Sequence, residues 1–145
     1  EPYRVREQFV AANQYMQQRH QDHISAFVDR VNWEATVTPS GLWIVTWEEG
    51  KGERIDRKDR VSYSYETRLL DGTFCYRATL DDPKVITAGR GDVESGLQEG
   101  LLKLREGARA TFLIPPHLGH GNFGDRRKIP GNTVLIIDVQ VLEVN

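Results

Sequence analysis

The sequence predicts an α+β domain in which a curved antiparallel sheet wraps one short helix, with a longer helical arm leading in. Three observations carry this. Over residues 4–31, Val5, Phe9, Ala12, Met16, Ile24, Phe27, Val28 and Val31 recur near helical spacing with no glycine or proline between them. Over residues 61–69 and 133–144 apolar side chains alternate with period two instead. Residues 92–114, DVESGLQEGLLKLREGARATFLI, switch between the two periods. Val93, Leu97, Leu101 and Leu104 form a helical stripe, then Ala110, Phe112 and Ile114 form a strand face stopped by Pro115-Pro116. Runs of strands around one helix, without repeated strand–helix–strand units, imply an α+β arrangement.

Taken in order, residues 1–31 form the arm and residues 32–145 the domain. The arm's middle (residues 17–23, QQRHQDH) is polar, so one long helix and two shorter pieces both fit. Its stripe is thin, and a helix of that kind must dock on the body or on a second subunit. Residues 33–38 are extended and Pro39-Ser40-Gly41 turns the chain. Residues 42–47 (LWIVTW) are β-branched and aromatic, a strand buried on at least one face. Residues 48–59 are charged and read as a solvated connection. Val61, Tyr63, Tyr65, Thr67 and Leu69 then share one strand face, and Asp71-Gly72 marks a hairpin into residues 73–76. After the Asp81-Asp82-Pro83 turn comes a short strand at 85–88. In the central helix Asp92 is the expected N-cap, Lys103 and Arg105 the last turn, and Gly107 the exit. Gly96 and Gly100 interrupt it at about 1 kcal/mol each relative to alanine. The return expected for them is close approach to the sheet or room for a guest. A glycine- and proline-rich loop over 115–131 precedes the last strand, whose Leu135, Ile137, Val139 and Val141 share a face.

Composition narrows the function. A chain of 145 residues with net charge −2 and no lysine/arginine block points to neither nucleic acid nor an anionic membrane. No apolar run approaches the roughly 20 residues of a membrane span. The lone Cys75 excludes an intrachain disulfide. The chain opens EPYRVREQ without an initiator methionine, as expected of a removed signal segment or a trimmed sequence.

Four blocks carry a family likeness: VSYSYETRLLDGTF, VESGLQEGLLKLREGARATFLIPP, HGNFG and IPGNTVLIIDVQVLEV. In order and spacing they resemble FKBP-type peptidyl-prolyl isomerases over residues 61–145. The upstream helix with TPSGLWIVTWEEGKG looks like the N-terminal region of FKBP-type lipoproteins of the gliding-motility group. The resemblance implies a half-open antiparallel sheet around one helix and rotation about X–Pro amides with no covalent step and no cofactor. It also implies proline-containing polypeptides as partners and a periplasmic or outer-membrane-attached location.

Residue by residue, the resemblance places Tyr65, Phe74, Leu97, His120 and Ile137 in the catalytic pocket. Leu97 stands where the family has a tryptophan floor, His120 where it has a loop tyrosine, and Ile137 where it has a phenylalanine. Val93, Glu94, Cys75 and Ile129 complete the substrate contacts. Glu94 acts through its backbone N–H, Ile129 sits on the rim, and Cys75 occupies the family's aspartate position. The expected cup is apolar, poorer in aromatic surface and without its acid.

Without the resemblance, Tyr65, Phe74, Val93, Leu97 and Ile137 read as ordinary core. His20 and His23, like His117 and His120, are spaced by three, but no third ligand accompanies either pair, so no metal is expected. Cys75 lacks a base and reads as a small, semi-buried side chain. Arg90-Gly91-Asp92 coincides with a loop that needs glycine anyway. Two functions therefore compete: an isomerase assisting exported proteins, and a catalytically weak module of the same fold that binds proline-containing segments. The arm is expected to dimerise or to brace the domain, and a removed N-terminal segment to tether it to a membrane.

Overall fold

A computed structural model describes residues 2–145, with side chains described from Arg6 onward. The arm is one continuous helix, α1 (Pro2–Val31), which runs through the polar middle without a break. It ends in a Schellman motif: Asn32 turns left-handed at φ 58°, Asn32 N–H bonds Asp29 O and Trp33 N–H bonds Val28 O.

Strands β1 (Thr36–Val37), β2 (Trp43–Glu48), β3 (Arg60–Leu69), β4 (Phe74–Ala78) and β5 (Lys84–Thr87) follow. Then come helix α2 (Ser95–Leu101), strand β6 (Arg109–Ile114), a 3₁₀ turn (Pro116–Leu118) and strand β7 (Leu135–Val144). The strands form one antiparallel sheet ordered β1-β2-β6-β7-β3-β4, with β5 pairing the first half of β3. The antiparallel sheet around a short helix is the arrangement the sequence predicts.

The sheet buries both faces. On the concave face Val61, Tyr63, Phe112, Ile114, Leu135 and Ile137 pack with Leu97, Leu101 and Leu104 into the main core. On the convex face Val45, Leu113, Val134 and Ile136 pack against Ile24 and Val28 of α1. This second core explains why β6 is buried on both sides from Ala110 on. It also settles what the C-terminal half of the arm docks on: the body of its own chain. Gln21 pins it, accepting from Trp43 Nε1 at 2.8 Å and donating to Gly41 O at 3.0 Å. Phe27, Trp33 and Trp47 close the corner with successive edge-on contacts. The other half stays in solvent, with Phe9 69% and Tyr15 61% exposed. Val5, the first residue of the expected stripe, has its side chain outside the described residues.

Two expectations need correcting. Helix α2 is shorter than the 92–104 stripe: Glu94, not Asp92, is the N-cap, it makes no side-chain capping bond, and Leu104 lies beyond the last turn. Two glycines and an uncapped start leave little intrinsic helicity, so only the segment pressed on the sheet stays helical. Leu104 is still buried because a β-bridge joins Arg105 to Arg54, and Leu104 O accepts from Ile55 N–H. The second correction follows from the same contact. Residues 48–59 are not wholly solvated, since Ile55 is 1% exposed and enters the main core.

The glycines of α2 serve close approach. A Cβ on Gly96 would stand 2.8 Å from Ile114 Cγ2, and one on Gly100 would stand 2.6 Å from the Phe112 ring. The helix therefore lies directly on β6.

Candidate active site

The concave face between β3, β4, α2 and the 115–131 loop brings together most of the residues named for the pocket. Leu97 (2% exposed), Ile129 (3%), Ile137 (1%) and Cys75 (0%) form an apolar floor that is already packed. Tyr65, Tyr76, Val93 and Leu118 pack on this core while remaining partly exposed, and they line the mouth.

Phe74 is not part of it. Thr67 pairs with Tyr76 but Arg68 pairs with Phe74, so Cys75 is the extra residue of a β-bulge. The bulge turns Cys75 and Tyr76 inward together and leaves Phe74 outside, opposite Arg68 and 43% exposed, with the Arg77 guanidinium 5.9 Å from its ring. The wall assigned to Phe74 is supplied by Tyr76. Cys75 is deeper than the semi-buried side chain expected. Its Sγ lies 3.8 Å from Thr73 O and Lys128 O, and burial pushes its thiol up, away from the thiolate a nucleophile needs.

The polar rim is made by two carboxylates. Glu94 accepts from His120 Nε2 at 3.0 Å, joining the start of α2 to the loop across the mouth. Asp125 accepts from Tyr76 Oη, and through Oδ1 from the N–H groups of Arg127 and Ile129, each at 2.9 Å. Partial burial works against the Asp125 anion, yet these hydrogen bonds hold its pKa down to about 2. The position opposite Cys75 therefore has an acid, brought by the loop rather than by the strand.

Tyr63 is a residue the alternation placed on the inner face without giving it a role. It is fully buried, its ring centroid is 5.8 Å from that of Tyr65, and its hydroxyl has no hydrogen-bond partner. Burial first, and the Glu94 charge second, push both tyrosine phenols up.

The remaining histidines meet elsewhere. His117 Nε2 lies 2.8 Å from Ser40 O, and His20 lines the same crevice between α1 and the loop. Burial, then the nearby His23 and His117, lower the His20 pKa. No group of three or more His, Cys, Asp or Glu side chains stands close enough to hold a metal among the described residues.

The model for FKBP-type peptidyl-prolyl cis-trans isomerases matches residues 51–142. The chain belongs to this family. An FKBP-type relative from Haemophilus influenzae, named a probable isomerase, is 33% identical over 77% of this chain and 46% of its own length. The FKBP-type isomerase FkpA of Buchnera aphidicola is 34% identical over 74% of this chain and 42% of its own. The crystal structure of FkpA from Escherichia coli superposes on the whole chain and 72% of its own, with a TM-score of 0.73 and 27% identity. This chain thus spans less than half the length of those two sequence relatives, and none of the three names mentions gliding motility. The family match begins in the connection after β2, ten residues upstream of the 61–145 core read from sequence.

Proposed function

We propose that this protein is a peptidyl-prolyl cis–trans isomerase acting on proline-containing segments of exported polypeptides. The observation that carries the reading is an apolar cup floored by Leu97 and Ile137, rimmed by the Glu94–His120 and Asp125 hydrogen bonds and with the unpartnered Tyr63 hydroxyl buried beneath. An X–Pro amide resists rotation by ~18–20 kcal/mol because of resonance. Moving it from water into an apolar cup disfavours the charge-separated planar form relative to the twisted one, and every 1.4 kcal/mol so gained is about tenfold in rate. Tyr65, Tyr76 and Val93 hold the proline ring over Leu97, and His120 with the Glu94 backbone N–H holds substrate carbonyls. No proton is transferred.

A second reading, a binding module with little turnover, is favoured by the packed floor, because Leu97 is only 2% exposed and offers less surface than an aromatic ring. An isomerisation assay on proline tetrapeptides, run with wild type and Leu97→Trp, separates the two. Catalysis by wild type supports the enzyme; activity in Leu97→Trp alone supports the module.

Export rests on the likeness to FkpA-type relatives, and a lipid tether on the weaker N-terminal likeness; cell fractionation with an antibody to the chain tests both. For the arm, the exposed Phe9, Val10, Tyr15 and Met16 support pairing of two copies through α1. Molar mass by light scattering, with and without residues 1–20, decides that: a dimer that becomes a monomer supports it.

A further inference from the structure

We infer that the Glu94 side chain makes the cup selective for proline segments carrying a lysine or arginine next to the proline. The inference rests on the isomerase reading and assigns its specificity.

Glu94 matters to the family likeness only through its backbone N–H, which any side chain would leave in place. Yet its side chain is only 17% exposed and its carboxylate is held at 3.0 Å by His120 Nε2, between the start of α2 and the 115–131 loop. The same charge bears on two phenols on the sheet side, the orphan Tyr63 hydroxyl below and Tyr65 above. A carboxylate so far removed from water needs partners. In the free protein it has one neutral or cationic imidazole and no lysine or arginine within ion-pair distance among the described residues.

The other charged groups of the mouth leave this deficit in place. Asp125, ionised and close enough to His120 for its charge to be felt there, adds a second anion on the loop side. Lys84 lies 5.8 Å from the Tyr65 ring centroid and Lys128 5.2 Å from that of Tyr76, so both cations are engaged with ring faces at the sheet edge. A substrate ammonium or guanidinium beside the proline would complete Glu94 at low exposure, where a charge pair is screened less than on an open surface. A substrate carboxylate in that place would face two anions.

Two tetrapeptide series test this, with lysine, leucine or glutamate placed either before or after the proline. They are measured at pH 8 and low salt on the full chain, by both turnover and competitive binding. In at least one series wild type is expected to favour lysine over glutamate about tenfold in kcat/KM, equivalent to about 1.4 kcal/mol. That ratio should shrink as salt is raised. Glu94→Gln, which keeps a hydrogen-bonding group opposite His120, should bring the ratio close to one, and Glu94→Lys should invert it. A merely structural role for Glu94 would change all peptides alike and leave the ratio intact. Equal rates and equal binding for all peptides in wild type overturn the selectivity while leaving the isomerase reading in place. Binding without turnover that keeps the lysine preference overturns the isomerase reading and leaves the selectivity standing. Neither turnover nor binding for any peptide overturns both.

Discussion

Helix α1 has 30 residues and no interior glycine, whereas α2 has seven residues and two glycines. Each covers one face of the same sheet, by opposite means. The long helix has the length and the glycine-free interior to sustain its own hydrogen-bond ladder, and it docks through a few side chains at its C-terminal end, chiefly Ile24 and Val28. The short one lacks the length to be stable alone and exists because Leu97 and Leu101 are buried against the sheet. Removing Cβ atoms, a loss for helicity, is what lets it settle on Phe112 and Ile114. Intrinsic propensity and tertiary fit are alternative sources of one element type, and here they trade off along a single chain.

This contrast can be broken most strongly at the two anchor residues. Leu101→Ala and Ile24→Ala, at 1% and 0% exposure, should each lower stability by about 2–5 kcal/mol in urea titrations. Only Leu101→Ala should also reduce cup turnover, because Ile24 lies on the opposite face. Equal loss of turnover in both variants would remove the separation of the two cores. Next in size is Gly100→Ala. Helix propensity alone predicts a gain of about 1 kcal/mol, but a Cβ 2.6 Å from the Phe112 ring overpacks the contact, typically at about 1–3 kcal/mol. A net loss is expected in thermal unfolding, and a stabilised variant would refute the close-approach account.

Smaller effects sit at the periphery. Asp125 titrates at about 2 when folded against an ordinary value of 3.8. A depressed carboxylate contributes stability that is present above pH 4 and lost as pH falls toward 2. Asp125→Asn should therefore flatten the acid limb between pH 4 and 2, seen as weaker pH dependence of the melting temperature. An unchanged slope would mean that the Asp125 carboxyl is not depressed in the folded protein. Least of all, Phe9→Ala should shift monomer stability by no more than about 0.5 kcal/mol, since its side chain is 69% exposed. If the arm pairs two copies, the same variant weakens association, visible as a loss of concentration dependence in the melting temperature.

What could be read in advance follows the same division. Periodicity carried α1, β3, β6 and β7, because alternation and helical spacing survive wherever one face is buried. It overextended α2, since Val93 and Leu104 continue the stripe although their burial comes from a loop and a bridge. The pocket was legible where side chains lie on regular elements, as Leu97, Ile137 and Tyr65 do. It failed at Phe74 because a bulge at Cys75 leaves no mark in the hydrophobic pattern while reversing every assignment beyond it. Asp125 was missed because its role depends on loop closure, which no periodicity encodes. Tyr63 was placed on the right face but lacked a reason to differ from its neighbours until its hydroxyl proved unpartnered.

The docked half of the arm lies on the convex face and the cup opens on the concave one. At about 1.5 Å per residue a helix of 30 residues is roughly 45 Å long, and its C-terminal half is the part tied down. Whatever the free portion joins is carried as on the handle of a ladle. Asn13, Met16 and His20 share a crevice with His117 and Asn122 of the loop that borders the cup, so the grip starts beside one lip of the bowl and a partner held there would sit next to a client entering it.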